Sequence, residues 1–288
     1  MELQMNFMNI STPFYCFDRE GVPREEIRWR WRYRVKPVTE VSRLLDTAGV
    51  PHVLWGLFAL NLVGHSEPVS NPDIEFVVPD ALLKRAYDAL SAVGFELCTT
   101  PSCGIMRHDR CAPHPNMHFH VNAAWNDKGV IALWGPPAAD DPDLLMSDDA
   151  RLPSFRVKGA TGPWGGMYPV KVLNENSFAE AVIRLLCRDW KHVNCYDMYW
   201  ILLLDDLADD GERYSWAVKA QEAGIGLKRT LRPEWQPIWE SWVAEKRMDS
   251  ATVERIQGAA VGQGLLPPPP AINGCGTFAN AEALGRHF

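Results

Sequence analysis

Residues 73–78 read Asp73-Ile74-Glu75-Phe76-Val77-Val78. The run is rich in β-branched and aromatic residues and follows a stretch of turn formers from His65 to Pro72, which marks it as a strand. Side chains alternate along a strand. Asp73 and Glu75 therefore project from one face, while Ile74 and Phe76 project from the other, into a core. Two carboxylates converging at one strand end are what a hard divalent cation such as Mg²⁺ needs. A metal held there can bridge triphosphate oxygens and position an attacking hydroxyl. The same pattern also describes an ordinary edge strand with a solvated acidic face.

Upstream, Thr39 can cap a helix in which Val41, Leu44, Leu45 and Ala48 share a face, with Gly49 as its stop. Pro51 to Trp55 reads as a short buried strand, Gly56 as a turn, and Leu57 to Val63 as an apolar helix. Downstream, Pro79-Asp80 opens a helix with Leu83, Ala86, Tyr87, Leu90 and Val93 at helical spacing, and Gly94 ends it. Phe95 to Cys98, Met117 to Asn122 and Val130 to Trp134 read as further strands. Gly135 to Pro153 is a Pro- and Asp-rich connection. Beyond it the chain reads as helical. Ser177 and Glu180 form a capping box for a helix through Leu186, followed by Tyr196 to Ala208, Glu234 to Lys246 and Ser250 to Val261. Pro267 to Pro270 mark a loop or tail.

The predicted fold class is α/β (α+β): a mixed β-sheet flanked by helices, then a helical C-terminal lobe. The expected division is an N-terminal extension at 1–37, an α/β core at 38–150, a helical lobe at 151–262 and a Pro-rich tail at 263–288. Within the extension, residues 28–34 alternate basic and aromatic residues, Arg28-Trp29-Arg30-Trp31-Arg32-Tyr33-Arg34. Period-two alternation predicts an extended segment, either an edge strand with its rings packed inward or a lid that contacts phosphates.

Composition narrows the function. The 288 residues are 47% hydrophobic and 23% charged, with a net charge of −7, so the chain can bury a core and is no general polyanion binder. No nucleic-acid partner is expected. The stretch from Met1 to Phe17 lacks a basic n-region, and no apolar run reaches roughly 18 residues. No signal peptide, membrane span or membrane partner is therefore expected, and the seven scattered cysteines suit a reducing, cytoplasmic location. Twelve tryptophans are either core packing or the lining of a wide apolar cavity.

The order helix, short strand, glycine turn, helix, loop, Asp-hydrophobic-Glu-hydrophobic resembles the nucleotidyltransferase superfamily. The first part of its motif matches Trp55-Gly56-Leu57 and the second Asp73-Ile74-Glu75-Phe76. The resemblance covers about residues 40–125. Residues 51–64 (PHVLWGLFALNLVG), 76–80 (FVVPD), 92–98 (AVGFELC), 117–121 (MHFHV), 144–153 (LLMSDDARLP) and 178–190 (FAEAVIRLLCRDW) resemble a group of fungal proteins with this fold, many of which have a degenerate catalytic motif. The resemblance implies Asp73 and Glu75 as metal ligands and Gly56 as the residue that admits phosphates. Leu57 stands where the family has Gly or Ser, the strand at 117–122 carries no third acid, and the helix after Gly56 offers no positive charge.

Cys98, Cys103, Cys111, His114, His118 and His120 fall in one stretch. The gaps of four, seven and two residues match no common zinc pattern, so separate roles are expected. His118 and His120 share a strand face and could run acid–base chemistry near neutral pH. Three function classes follow. In the first, the scaffold is repurposed as a cyclase or isomerase of fungal secondary metabolism, acting on a bulky apolar small molecule such as a terpenoid or polyketide. It needs no cofactor and uses Asp73, Glu75, His118 and His120 as catalytic groups. His52, Trp55, Gly56, Leu57, Phe58, Asn61 and Asn122 would line its pocket. In the second, Asp73 and Glu75 hold Mg²⁺ with a nucleoside triphosphate for transfer to a small-molecule acceptor. A non-catalytic binding protein is the third possibility.

Overall fold

The computed structural model describes residues 24–63, 73–100, 103, 105, 113, 115–120, 130–134, 144–152, 161–191, 196–208, 231–245 and 249–266. The architecture is mixed α/β. Helix α1 (Arg24–Thr47) leads into β1 (Val53–Trp55), α2 (Gly56–Val63) and β2 (Ile74–Val77). A short 3₁₀ turn (Asp80–Leu82) precedes α3 (Leu83–Ser91), and then come β3 (Met117–His120), β4 (Val130–Trp134), β5 (Leu145–Met146) and β6 (Lys171–Val172). The chain continues through α4 (Glu175–Asp189), α5 (Tyr196–Ala208), α6 (Gln236–Glu245) and α7 (Ser250–Gly262). Among the described residues no helix is long and apolar enough to cross a membrane.

The strands form one six-stranded sheet in the order β3-β4-β2-β1-β6-β5. β2 runs antiparallel to β1 and parallel to β4, while β1 runs parallel to β6. Pairing aligns Leu54 with Phe76, and Trp55 with Glu75. The two faces are covered by different helices. On one, His52 meets Phe76 edge-on with centroids 5.4 Å apart, and Tyr87 of α3 stacks on Phe119 at 6.3 Å. On the other, Trp55 stacks on Phe178 of α4 at 4.5 Å. With helices on both sides, β1 and β2 are buried at every position, as expected for central strands covered on both faces.

Val35, Val38, Val41 and Leu45 of α1 recur at helical spacing and are buried, whereas Glu40 and Arg43 pair outside, Arg43 Nε donating to Glu40 Oε2 at 2.9 Å. Gly49, with φ +64°, lets Val50 turn back and donate to Leu45 O at 2.9 Å, a left-handed stop that suits glycine. On α4, Phe178, Val182, Leu185 and Leu186 are buried, as are Trp200, Leu203, Leu204 and Leu207 of α5. These two helices are joined by a polar knot. Asp189 is fully buried, receives Arg188 Nε at 2.6 Å and Nη2 at 2.7 Å, and accepts Trp200 Nε1–H at 2.8 Å.

Several expectations change. Residues 28–34 are helical and belong to α1, which begins at Arg24 and not near Thr39. Extending a helix costs less than nucleating one, and the four Arg residues of this stretch are good helix formers. Thr39 lies inside the helix, its hydroxyl donating to Lys36 O at 3.0 Å. Phe95 to Cys98 makes one bridge, Leu97 to Phe119, in place of a full strand. The cap of α4 is Asn174, whose side chain accepts Ser177 N–H at 3.0 Å, so the helix starts ahead of the expected capping box and runs to Asp189. The sheet also extends past the expected division at residue 150, because β6 pairs with β1. Asp189→Ala would leave the Arg188 guanidinium in the interior without its counter-charge. We expect a loss of about 3–5 kcal/mol in urea unfolding followed by circular dichroism.

Candidate functional site

Asp73 lies half-buried where the chain enters β2, and Glu75 is 4% exposed within it. Glu75 faces Trp55 across the β1–β2 pair, so both carboxylates belong to the sheet face covered by α4 and α5. Gly56 turns the chain from β1 into α2 with φ +66°. A Cβ at Gly56 would fall 1.7 Å from Glu75 Oε2, so the carboxylate occupies space that only glycine leaves open. Tyr199 of α5 donates its hydroxyl to the same Glu75 oxygen at 3.2 Å. Burying a carboxylate is costly without partners, and this one is wedged between a glycine turn and a phenol. No sequence signal pointed to Tyr199. It lies more than a hundred residues away, in a helix whose pattern reads as core.

The residues expected around a pocket divide into three groups. Asp73, Glu75, Gly56 and Leu57 gather at the β1–α2 turn and the start of β2, with Leu57 half-buried. Trp55, Phe58 and Asn61 are buried. Trp55 is a core residue stacked on Phe178 and lines no open wall; Trp164, Trp200, Trp235, Trp239 and Trp242 are buried too. These six tryptophans therefore pack in the core. Asn122 lies outside the described residues. Trp55 and His120 do not meet, since β2 and β4 stand between their strands, a separation of about 14 Å at ordinary strand spacing.

His52 is 1% exposed and sits beneath the opposite face of the sheet, against Phe76. Its Nδ1 lies 2.9 Å from Val50 O. A carbonyl only accepts, so Nδ1 carries the proton and Nε2 accepts the Ser42 hydroxyl at 2.7 Å. Burial pushes its pKa down, against the pull of the Val50 carbonyl and of Asp46, whose Oδ1 is 3.9 Å away. Asp46 is partly buried, which works against its charge, but hydrogen bonds from Lys171 at 2.8 Å and Tyr168 at 2.9 Å outweigh this and hold its pKa low. Serine, imidazole and carboxylate thus follow one another, yet Ser42 and His52 are both enclosed and no substrate reaches them. The group ties α1 to β6.

His118 and His120 do share a strand face, and the structure brings cysteines to them. Cys103 Sγ lies 3.3 Å from Nε2 of His118 and 3.3 Å from Nε2 of His120. The Leu97–Phe119 bridge sets Cys98 opposite His118, with Cys98 N–H donating to His118 O at 3.0 Å. The ligating atoms of Cys98, Cys103, His118 and His120 all lie within 4.8 Å of one another. Cys111 and His114 lie outside the described residues. Sequence spacing missed the group because β3 and a segment bridged to it assemble the site, not a helix.

No protein-family model matches this chain, and no curated protein matches it. Among solved structures, the solution structure of the antibiotic-resistance factor ANT(2'')-Ia is similar at a TM-score of 0.34 and 13% sequence identity, covering 67% of this chain and 95% of that one. A likeness at that score carries no weight for the reading of the site.

Gly56→Ala must strain the backbone by about 1–3 kcal/mol and displace Glu75. We expect a clear fall in melting temperature, only partly recovered when Glu75→Ala is added, because the second change relieves the collision and not the backbone. Buried His52 titrates below its ordinary value of 6.5. The unfolded chain therefore takes up that proton first as pH falls, and stability is lost below about pH 6.5 and regained above it. NMR titration of the His52 ring should show an inflection below that value.

Proposed function

We propose that this chain is a nucleotidyltransferase-fold protein that holds a Mg²⁺–nucleoside triphosphate at the Asp73 end of β2 and serves transfer to a small-molecule acceptor. The observation that supports this reading is the pairing of Asp73 and Glu75 on one strand face, beside a glycine turn that opens a helix directly after the neighbouring strand. The donor set fits the ion. Mg²⁺ prefers hard oxygen ligands and uses one or two carboxylates, completing its shell with water and phosphate oxygens. Asp73, half-buried at the mouth of the strand, and Glu75, oriented by Tyr199, would hold it. Bound there, the ion would neutralise triphosphate charge and lower the barrier to attack.

The chain's own residues then divide the work. Tyr199 fixes one oxygen of Glu75, so the carboxylate is positioned before any ligand arrives, which lowers the ordering cost of binding. Gly56 keeps the turn free of a side chain, and Leu57, half-buried at the start of α2, presents an apolar surface beside it.

Isothermal calorimetry with ATP, GTP, CTP and UTP in the presence of Mg²⁺ tests the reading. At least one should bind, and Asp73→Asn should weaken that binding about tenfold or more, equivalent to about 1.4 kcal/mol. Silence with all four triphosphates, or binding unchanged by the substitution, would overturn it.

A further inference from the structure

We infer that Cys98, Cys103, His118 and His120 form a structural zinc site. The chemistry of the donors points to this ion. Two thiolates and two imidazoles in a tetrahedral arrangement select Zn²⁺ over the oxygen-seeking Mg²⁺ and Ca²⁺. With Zn–S near 2.3 Å and Zn–N near 2.0–2.1 Å, a tetrahedral centre places sulfur and nitrogen about 3.5 Å apart. The two Cys103–imidazole separations are both 3.3 Å, and all four ligating atoms fall within one 4.8 Å group.

The surrounding backbone explains how the four meet. His118 and His120 are two apart on β3 and so share a face. Cys98 is the cross-strand neighbour of His118 on that face, by the bridge at Leu97. Cys103 N–H donates to Thr100 O at 3.0 Å, and the Cys103 sulfur lies over the two histidines. Both imidazoles present Nε2 to Cys103; with a metal on each Nε2, each Nδ1 would carry the proton. The two His118 and His120 rings stand at 83° to each other with centroids 5.3 Å apart, splayed as ligands of one ion are and not stacked.

Four protein ligands close the coordination sphere, so the site is structural and not catalytic. Binding releases one proton from each thiol, since the thiolate is the ligand. The ion would clamp Cys98 and Cys103 to the β3 side of the sheet. It would also occupy the Nε2 atoms of His118 and His120, which removes both from service as acid or base. The site lies on the carboxylate face, with β4 between β3 and the Glu75 strand, and it does not depend on the nucleotide reading.

The test uses the full chain, purified under reducing conditions with any affinity tag removed. Elemental analysis should find about one zinc per chain, and replacement with Co²⁺ should give the intense visible bands and thiolate charge-transfer absorption of a tetrahedral site. Cys103→Ser and His118→Gln should abolish the cobalt spectrum, while Cys111→Ser and Cys187→Ala should leave it unchanged. A chelator should lower the melting temperature of the zinc-loaded protein. A chain that carries no zinc and gives no tetrahedral cobalt spectrum would overturn the proposal. So would a Cys98–Cys103 disulfide in metal-free native protein, or loss of metal in Cys111→Ser with retention in Cys103→Ser. The unsubstituted chain's cobalt spectrum decides the matter even where a ligand variant fails to fold.

Discussion

A carboxyl group buried in the middle of a covered sheet is the constraint around which this molecule is arranged. Glu75 is nearly inaccessible, on a strand that is paired on both sides. Stripping water from a carboxylate costs several kcal/mol after relaxation, so its neighbours must be built to receive it. Gly56 does so by lacking a side chain at the point of contact, and Tyr199 by donating a hydrogen bond. The first demand fixes how β1 passes into α2. The second pins α5 to the centre of the sheet. The C-terminal helices are therefore less an appended lobe than one wall of the carboxylate's enclosure, and the Asp189 knot between α4 and α5 holds that wall together.

Much of this was legible in the sequence where a pattern is local. The alternation of residues 73–78, the apolar run after Gly56 and the spacing of Leu83, Ala86 and Leu90 each predict the element that forms, because burial of one face or one stripe decides them. What the chain hides is non-local. Strands β5 and β6 are two residues each, too short to carry a period, and exist because β1 offers β6 a partner and β6 offers one to β5. The Arg–Trp alternation at 28–34 looks extended in isolation and becomes helical because a longer helix follows it. Tyr199 reads as one more aromatic of an apolar helix, and only the closed fold reveals that its hydroxyl meets Glu75.

The histidines show the same lesson at the level of chemistry. In the sequence, His118 and His120 read as catalytic groups and His52 as part of the same pocket. His52 is enclosed by α1 and the far face of the sheet, locked into one tautomer by Val50 and Ser42. His118 and His120 lie on the other face, where the nearest reactive atoms are sulfur. Residue type alone separates none of these environments. Strand order does, because it decides which side chains are neighbours: the histidines belong to β3, with β4 and β2 between it and β1, and cannot share work with Trp55.

The parallel pairing of β6 with β1 has a consequence for how the chain can be divided. β1 is an inner strand only because Lys171–Val172 returns to cover it, and Lys171 also reaches back to Asp46 at the end of α1. A fragment that stopped after β4 would turn β1 into an open edge, three buried apolar residues long, with unpaired amides and carbonyls facing water. Such edges recruit other chains. The compact α/β half visible in the first half of the sequence is thus not a portable unit: cut free, it would be sticky, and during synthesis it must wait for the ribosome to deliver residues 171–172 before its sheet can close.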